Sequence, residues 1–135
     1  MPNMNPKKCP MPEQAPDVRN KNFEEVTLGY TAEMAVEEAQ RCLNCKNKPC
    51  MTGCPVQVKI PEFIALVAEG KFLERLPRSR RPPHCPLSAV VSARRRASAS
   101  ALRTRHQGRA VAIGRLERFV ADYARENSTE KAVKP

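Results

Sequence analysis

Four cysteines within thirteen residues are the part of this sequence best suited to chemistry. They are Cys42, Cys45, Cys50 and Cys54, spaced C-x2-C-x4-C-x3-C, and Pro55 follows the last one. Loops of two to four residues let several thiolates converge on one inorganic centre, and bacterial ferredoxin ligand runs end in the same Cys-Pro pair. The spacing predicts that these four cysteines bind the iron of a [4Fe-4S] cluster.

Two other kinds of site use similar residues. Zinc also takes four thiolates, but zinc ribbons usually divide them into two C-x2-C pairs separated by a dozen or more residues. A disulfide cluster would require an oxidising compartment, and residues 1–16 are polar and proline-rich, unlike a secretory signal. We therefore rank iron–sulfur first, zinc second and disulfides third, and we predict a cytoplasmic protein.

The Cys-Pro pair also suggests how the ligands divide. In two-cluster ferredoxins the cysteine before the proline binds the other cluster, not the one held by the preceding three. On that pattern Cys42, Cys45 and Cys50 share one cluster and Cys54 reaches a second. Each cluster then needs ligands from elsewhere in the chain.

The composition indicates one small domain with a limited core. The chain has 135 residues, of which 4% are aromatic and 13 are proline. A metal centre can supply stability that such a core lacks. No apolar run approaches the length of a membrane span.

The net charge of +10 lies in one block. Residues 75–109 hold ten arginines and no Asp, Glu or Lys, whereas the rest of the chain has 14 basic and 14 acidic residues. The block lacks helical or strand periodicity and is predicted to be disordered or irregular. It also lacks aromatic residues that could stack on bases, which makes nucleic acid an unlikely partner. A zinc-stabilised basic module that binds nucleic acid or an acidic partner is the competing hypothesis.

The remaining pattern predicts an all-α fold. Thr31 is a candidate N-cap for a helix that buries small alanines and leads to Cys42, with Glu33, Glu37 and Glu38 on the opposite face. A second helix begins near Pro61 and ends at Gly70. A third, spanning residues 111–126, has an apolar stripe made of Ile113, Leu116, Phe119, Val120 and Tyr123, with Arg115, Glu117, Arg118 and Asp122 mostly facing solvent.

These elements predict five regions. They are a flexible lead (1–21), a helical cysteine-cluster region (22–74), the aberrant block (75–109), a C-terminal helix of the same domain (110–127) and a tail (128–135). The lead is expected to bury nothing, so Cys9 is expected to be an exposed thiol. His84 and Cys85 lie in the block without a partner ligand at a recognisable spacing, and Cys85 is a weak candidate for metal binding.

Several motifs in fixed order closely resemble one protein family. They are N-F-E-E-V at 22–26, L-G-Y at 28–30, E-E-A at 37–39, R-C-L-x-C at 41–45, G-C-P-V at 53–56, I-P-E-F-I at 60–64 and V-A-I-G-R-L-E-R-F at 111–119. They resemble the N-terminal iron–sulfur domain of the small (beta) subunit of NADPH-dependent glutamate synthase. The same domain occurs in dihydropyrimidine dehydrogenase and in NADH-dependent ferredoxin:NADP oxidoreductase.

The resemblance implies a small all-α domain of the alpha-helical ferredoxin-like kind. In the family it holds two [4Fe-4S] clusters that pass electrons between a flavin and a partner protein or subunit, such as the glutamate synthase large subunit. FAD- and NADPH-binding domains follow it in the family, but this sequence contains no G-x-G-x-x-G fingerprint. We therefore expect this oxidoreductase fragment to be inactive towards nicotinamides on its own.

The middle block departs from the family pattern. Family members carry a second cysteine group between the positions of Gly70 and Val111, whereas this sequence has only Cys85 there. Family-like sequence resumes in register after a segment of about the right length. One hypothesis is that residues 75–109 are a frameshifted reading of GC-rich codons. If they are translated as written, we expect at most one cluster, closed by the four cysteines with Cys85 as a substitute ligand, or a fragment without function.

Overall fold

A computed structural model of the chain describes residues 3–54, 58–73 and 109–127, and five helices lie within these ranges. They are α1 (Pro16–Arg19), α2 (Ala32–Ala39), α3 (Pro49–Thr52), α4 (Ile60–Ala68) and α5 (Ile113–Asn127). In these ranges the extended pairing is limited to one antiparallel bridge between Glu13 and Thr27. The structure confirms the predicted helix-rich, all-α character of this part of the chain.

Helix α2 begins at the predicted N-cap. The Thr31 hydroxyl accepts a hydrogen bond from the Met34 N–H at 3.4 Å, which satisfies one of the free amides of the first turn. Ala35 and Ala39 are buried, as predicted. The prediction for Glu38 is wrong, because its side chain is 0% exposed whereas Glu33 and Glu37 face solvent. Its carboxylate is buried because it accepts hydrogen bonds from other segments of the chain.

Helix α4 follows its predicted pattern. Pro61 lies in the first turn, where its missing N–H leaves no bond unmade. Phe63, Ile64 and Val67 are buried on one face. Gly70, at φ +76°, adopts the left-handed conformation just beyond the helix end, which a residue with a Cβ rarely adopts.

Helix α5 begins two residues later than predicted. Val111 and Ala112 are buried but precede the helix, and the Ala112 N–H is donated to the Glu38 carboxylate at 2.8 Å. Ile113, Leu116 and Phe119 are buried as expected. The charged residues expected to face solvent are half-buried, and Arg118 bonds to Thr27, Glu25 and Asp122.

The three longer helices form one core. Helices α2, α4 and α5 contact each other in pairs, and α3 packs against α4. Phe72, just after α4, makes edge-to-face contacts with Phe119 and Tyr123, each with ring centroids 5.0 Å apart. The cysteine run connects α2 to α4 and so lies beside this core. None of the helices in the described ranges is both long and apolar enough to cross a membrane.

The N-terminal lead packs onto the core at Cys9. The Cys9 N–H is donated to the Glu38 carboxylate at 2.7 Å, and the Cys9 carbonyl accepts from the Tyr30 hydroxyl at 2.7 Å and from Arg115 at 3.0 Å. These bonds bury Cys9, which is only 9% exposed. The expectations that this thiol is exposed and that the lead buries nothing are therefore wrong.

Candidate metal centre

The backbone folds the cysteine run back on itself. Cys42 ends the turn that follows α2, with its N–H donated to the Ala39 carbonyl at 3.0 Å. Asn44 and Lys48 then adopt left-handed conformations, with φ of 44° and 41°. This conformation is uncommon for residues other than glycine, and it often occurs in ligand-binding loops. Asn44 and Lys48 redirect the chain before and after Cys45, and α3 then carries Cys50.

Three of the four predicted ligands line one open pocket. Cys42, Cys45 and Cys50 share its wall. Its other lining residues are mostly apolar: Leu43, Pro49, Ile60, Pro61, Ile64, Val111 and Ile113. Cys54 is half-buried and does not line the pocket. The structure thus brings the first three cysteines to one pocket.

The thiols share this pocket without converging on a single point. Among the described residues, no three His, Cys, Asp or Glu side chains are grouped closely enough to hold one metal ion. The five described cysteines are all free thiols. A single zinc ion would need every sulfur at about 2.3 Å from it. A four-iron cluster binds each cysteine through a different iron, so its thiolates need not meet at one point.

Burial and nearby backbone N–H groups act in opposite directions on the pKa of two pocket cysteines. Burial raises the pKa of the Cys42 thiol, although a backbone N–H at Asn44 favours the thiolate. Burial likewise raises the pKa of Cys50, and the nearby Cys42 thiol adds to this shift, while the N–H groups of Cys50 and Met51 oppose it. Backbone donors near cluster sulfurs and limited solvent access are two features that tune iron–sulfur centres. The metal-free pocket favours neutral thiols, so metal binding must release protons.

The raised pKa predicts that, at a given pH, a smaller fraction of Cys42 and Cys50 is thiolate in the folded metal-free protein than in the unfolded chain. Because only the thiolate reacts, the pH–rate profiles for alkylation of Cys42 and Cys50 by iodoacetamide should have midpoints above those of the urea-unfolded chain. Between the unfolded pKa, about 8.5, and the raised folded pKa, ionisation favours the unfolded state. The folded metal-free domain should therefore lose stability as the pH rises through that window.

Peptide mass spectrometry across a pH series measures each midpoint separately. The urea-unfolded chain is the internal control, because it has the same thiols without the pocket. Midpoints for Cys42 and Cys50 equal to the unfolded values would contradict the burial described above.

Two of the predicted ligand candidates lie outside the described residues or the pocket. Cys85, like His84, falls between residues 73 and 109, outside the part of the chain that the structure describes. Cys54 packs against the core cluster and is not among the residues that line the pocket.

A buried ion pair of Glu38 and Arg41, which was not predicted from the sequence, precedes the first cysteine. Arg41 is 4% exposed, and its Nη1 donates to Glu38 Oε1 at 2.7 Å. Helical spacing could have identified Glu38, since it lies three residues after Ala35 and next to Ala39 on the buried face. An acid on an apolar face with an arginine three residues later indicates a buried ion pair.

A family model and several related proteins match most of this chain. The family model described as dihydropyrimidine dehydrogenase domain II, 4Fe-4S cluster, matches residues 19–129. The glutamate synthase [NADPH] small chain of Halomonas elongata is 34% identical over 115 residues, covering 84% of this chain and 24% of that protein. The corresponding small chain of Escherichia coli strain K12 is 29% identical over 116 residues, covering 85% of this chain and 25% of that protein.

A third relative comes from a different enzyme. The NAD-dependent dihydropyrimidine dehydrogenase subunit PreT of Escherichia coli strain K12 is 30% identical over 111 residues, covering 80% of this chain and 26% of that protein. The chain spans about a quarter of the length of these three relatives. Because the family model covers most of the chain, including the run from Cys42 to Cys54, the chain belongs to the dihydropyrimidine dehydrogenase domain II family of 4Fe-4S cluster domains.

Proposed function

We propose that this chain carries electrons through a [4Fe-4S] cluster bound by Cys42, Cys45 and Cys50, as part of an NAD(P)H-linked oxidoreductase. The observation that carries the proposal is the shared pocket, in which a 4Fe-4S family member brings three cysteines against an apolar wall. A bound cluster supplies one-electron chemistry. The chain's own residues supply thiolate ligands, N–H donors near the sulfurs, and a wall that limits water access.

Cys54 has a separate role in this proposal. Its exclusion from the pocket wall supports the ferredoxin-like division, in which the cysteine before the proline binds a second centre. The alternative is that Cys54 turns inwards and completes a single cluster. Serine at position 54 distinguishes these two arrangements, because it would leave the pocket cluster in place in the first and weaken it in the second.

The partner we propose is a flavin- and NAD(P)H-binding domain or subunit, as in a glutamate synthase small chain. Support comes from the relatives, which are named as an NADPH-type small chain and an NAD-dependent subunit. They are about four times as long as the matched region, so FAD and NADPH would bind beyond it. Whether the whole protein contributes to glutamate synthesis or to ferredoxin-linked electron transfer depends on that remainder.

Reduction of the reconstituted chain tests the electron-carrying role. The full chain is loaded anaerobically with iron and sulfide, titrated with dithionite, and followed by visible absorption and electron paramagnetic resonance. We expect bleaching of the cluster absorption together with the signal of a reduced [4Fe-4S] centre, both reversed by a mild oxidant. A loaded protein that takes up no electrons would contradict the proposal.

We further propose that residues 75–109 are a frameshifted reading of a segment that carries the family's second cysteine group. The composition of the block supports this, as does a family match that extends on both sides of it. Resequencing the gene through codons 75–109 should reveal compensating frame breaks. Confirmation of the sequence as written would contradict this proposal and would limit the chain to at most one cluster.

A further inference from the structure

One buried carboxylate joins three separate segments of this domain. Glu38, on α2, is 0% exposed and accepts three hydrogen bonds. Its Oε2 accepts from the Cys9 N–H at 2.7 Å, and its Oε1 accepts from Arg41 Nη1 at 2.7 Å and from the Ala112 N–H at 2.8 Å. The N-terminal segment, α2 and the approach to α5 therefore meet at this side chain.

Arg41 extends the same connection. Its Nε donates to the Asn5 carbonyl at 2.8 Å, and its Nη2 donates to the Arg109 carbonyl. Every nitrogen of the guanidinium thus has an acceptor, which compensates for its burial. We refer to Glu38 and Arg41 together as the Glu38–Arg41 clamp.

The clamp connects two chain segments that contribute to the pocket lining. Arg41 directly precedes Cys42, the first cysteine of the pocket wall. Ala112, which donates to the Glu38 carboxylate, lies between Val111 and Ile113, and both of these line the pocket. One carboxylate therefore links the residue before Cys42 to the residue between Val111 and Ile113.

We propose that Glu38 and Arg41 are positioning residues that hold Cys42 against the Val111–Ile113 wall, and that they thereby control the water access and the reduction potential of the bound cluster. This inference rests on the proposed function, because it requires a cluster in the pocket. Solvent exposure and hydrogen bonding are among the main determinants of iron–sulfur potentials. A displaced Val111–Ile113 wall would admit water to the cluster.

Glutamine at position 38 separates this role from simple space filling. Glu38 accepts bonds at both oxygens, whereas the amide of glutamine has one accepting oxygen and one donating nitrogen. In Glu38→Gln, the amide nitrogen must face either the Cys9 N–H or the two donors at Oε1. The variant has nearly the same shape but leaves a buried donor without an acceptor.

Two further variants control for charge and for folding. Glu37→Gln removes the same charge from an exposed neighbour on the same helix. Arg41→Lys keeps the clamp's charge but cannot reproduce the guanidinium bonds to Asn5, Glu38 and Arg109 together. If Glu38→Gln fails to fold, the measurements on Arg41→Lys test the positioning role instead.

The test uses the full chain, reconstituted anaerobically. We measure the reduction potential by titration, the rate of cluster loss in air, and hydrogen exchange at the Ala112 amide in the metal-free protein. For Glu38→Gln we expect a potential displaced from the wild type, cluster loss faster by about tenfold or more, and a loss of protection at Ala112. Arg41→Lys should show smaller changes of the same kind, and Glu37→Gln should match the wild type.

Wild-type potentials and wild-type rates of cluster loss in Glu38→Gln and Arg41→Lys would overturn the positioning role while leaving the proposed function intact. Changes of equal size in Glu37→Gln would also overturn it, because they would indicate a general effect of charge. A wild-type chain that binds no cluster would overturn the proposed function, and the positioning role would fail with it.

Discussion

Replacement of Cys50 by serine is expected to abolish cluster binding in the pocket. Cys50 is buried at the wall that Cys42 and Cys45 share. Serine retains the shape but replaces a thiolate with a much weaker ligand for iron. Changes in outer-shell partners alone cost about 10- to 100-fold in metal affinity, so loss of a direct ligand should lower the affinity by at least about 100-fold. Iron and sulfide per chain after reconstitution measure the effect.

Cys9→Ser is the matched control for this change. Cys9 is also buried, but it does not line the pocket. Its backbone N–H donates to Glu38 and its carbonyl accepts from Tyr30, so these two bonds do not involve its thiol. We therefore expect Cys9→Ser to retain the cluster at the wild-type level. Equal iron content in Cys50→Ser and in the wild type would show that the pocket does not hold the cluster.

Replacement of Arg41 by methionine is expected to destabilise the domain severely. The change leaves the Glu38 carboxylate buried without its positive partner, and it also removes the donors to the Asn5 and Arg109 carbonyls. Removing one member of a buried ion pair typically costs about 3–5 kcal/mol. Urea unfolding of the metal-free chain by circular dichroism measures this loss without involving the cluster.

An exposed ion pair provides the comparison. Arg125 lies 3.6 Å from Asp122 with its side chain 63% exposed, so Arg125→Met should cost less than about 1 kcal/mol. In the double variant Glu38→Leu with Arg41→Met, the cost should be smaller than the sum of the two single changes by about 0.5–3 kcal/mol. Additive costs would contradict a direct interaction between the two side chains.

The parts of the fold that sequence predicted correctly are those set by local chemistry. Thr31 can cap a helix from its own side chain, Pro61 favours a first turn, and Gly70 permits a left-handed end. Each of these helix starts and ends depends on residues within one helical turn. The family was recognisable for the same reason, because its motifs are short runs in a fixed order.

The errors came from contacts between residues far apart in the sequence. Glu38 lies on the same helical face as Ala35 and Ala39, but its partners at Cys9 and Ala112 are 29 and 74 residues away and could not be identified from the sequence. Cys9 looked exposed because its flanking residues are polar, whereas its burial depends on Tyr30 and Arg115. Ile113 was predicted to be buried as part of the apolar stripe, but only the folded chain shows that Val111 and Ile113 both line the cysteine pocket.

The most direct test of the central claim is the metal and sulfide content of the full chain after anaerobic reconstitution with iron, sulfide and zinc all present. We predict iron and acid-labile sulfide in equal amounts, close to four of each per cluster from the [4Fe-4S] formula, and the loss of both in Cys50→Ser. One zinc per chain with no sulfide would contradict it, because the cysteine pocket would then be a mononuclear structural site with no electron to carry.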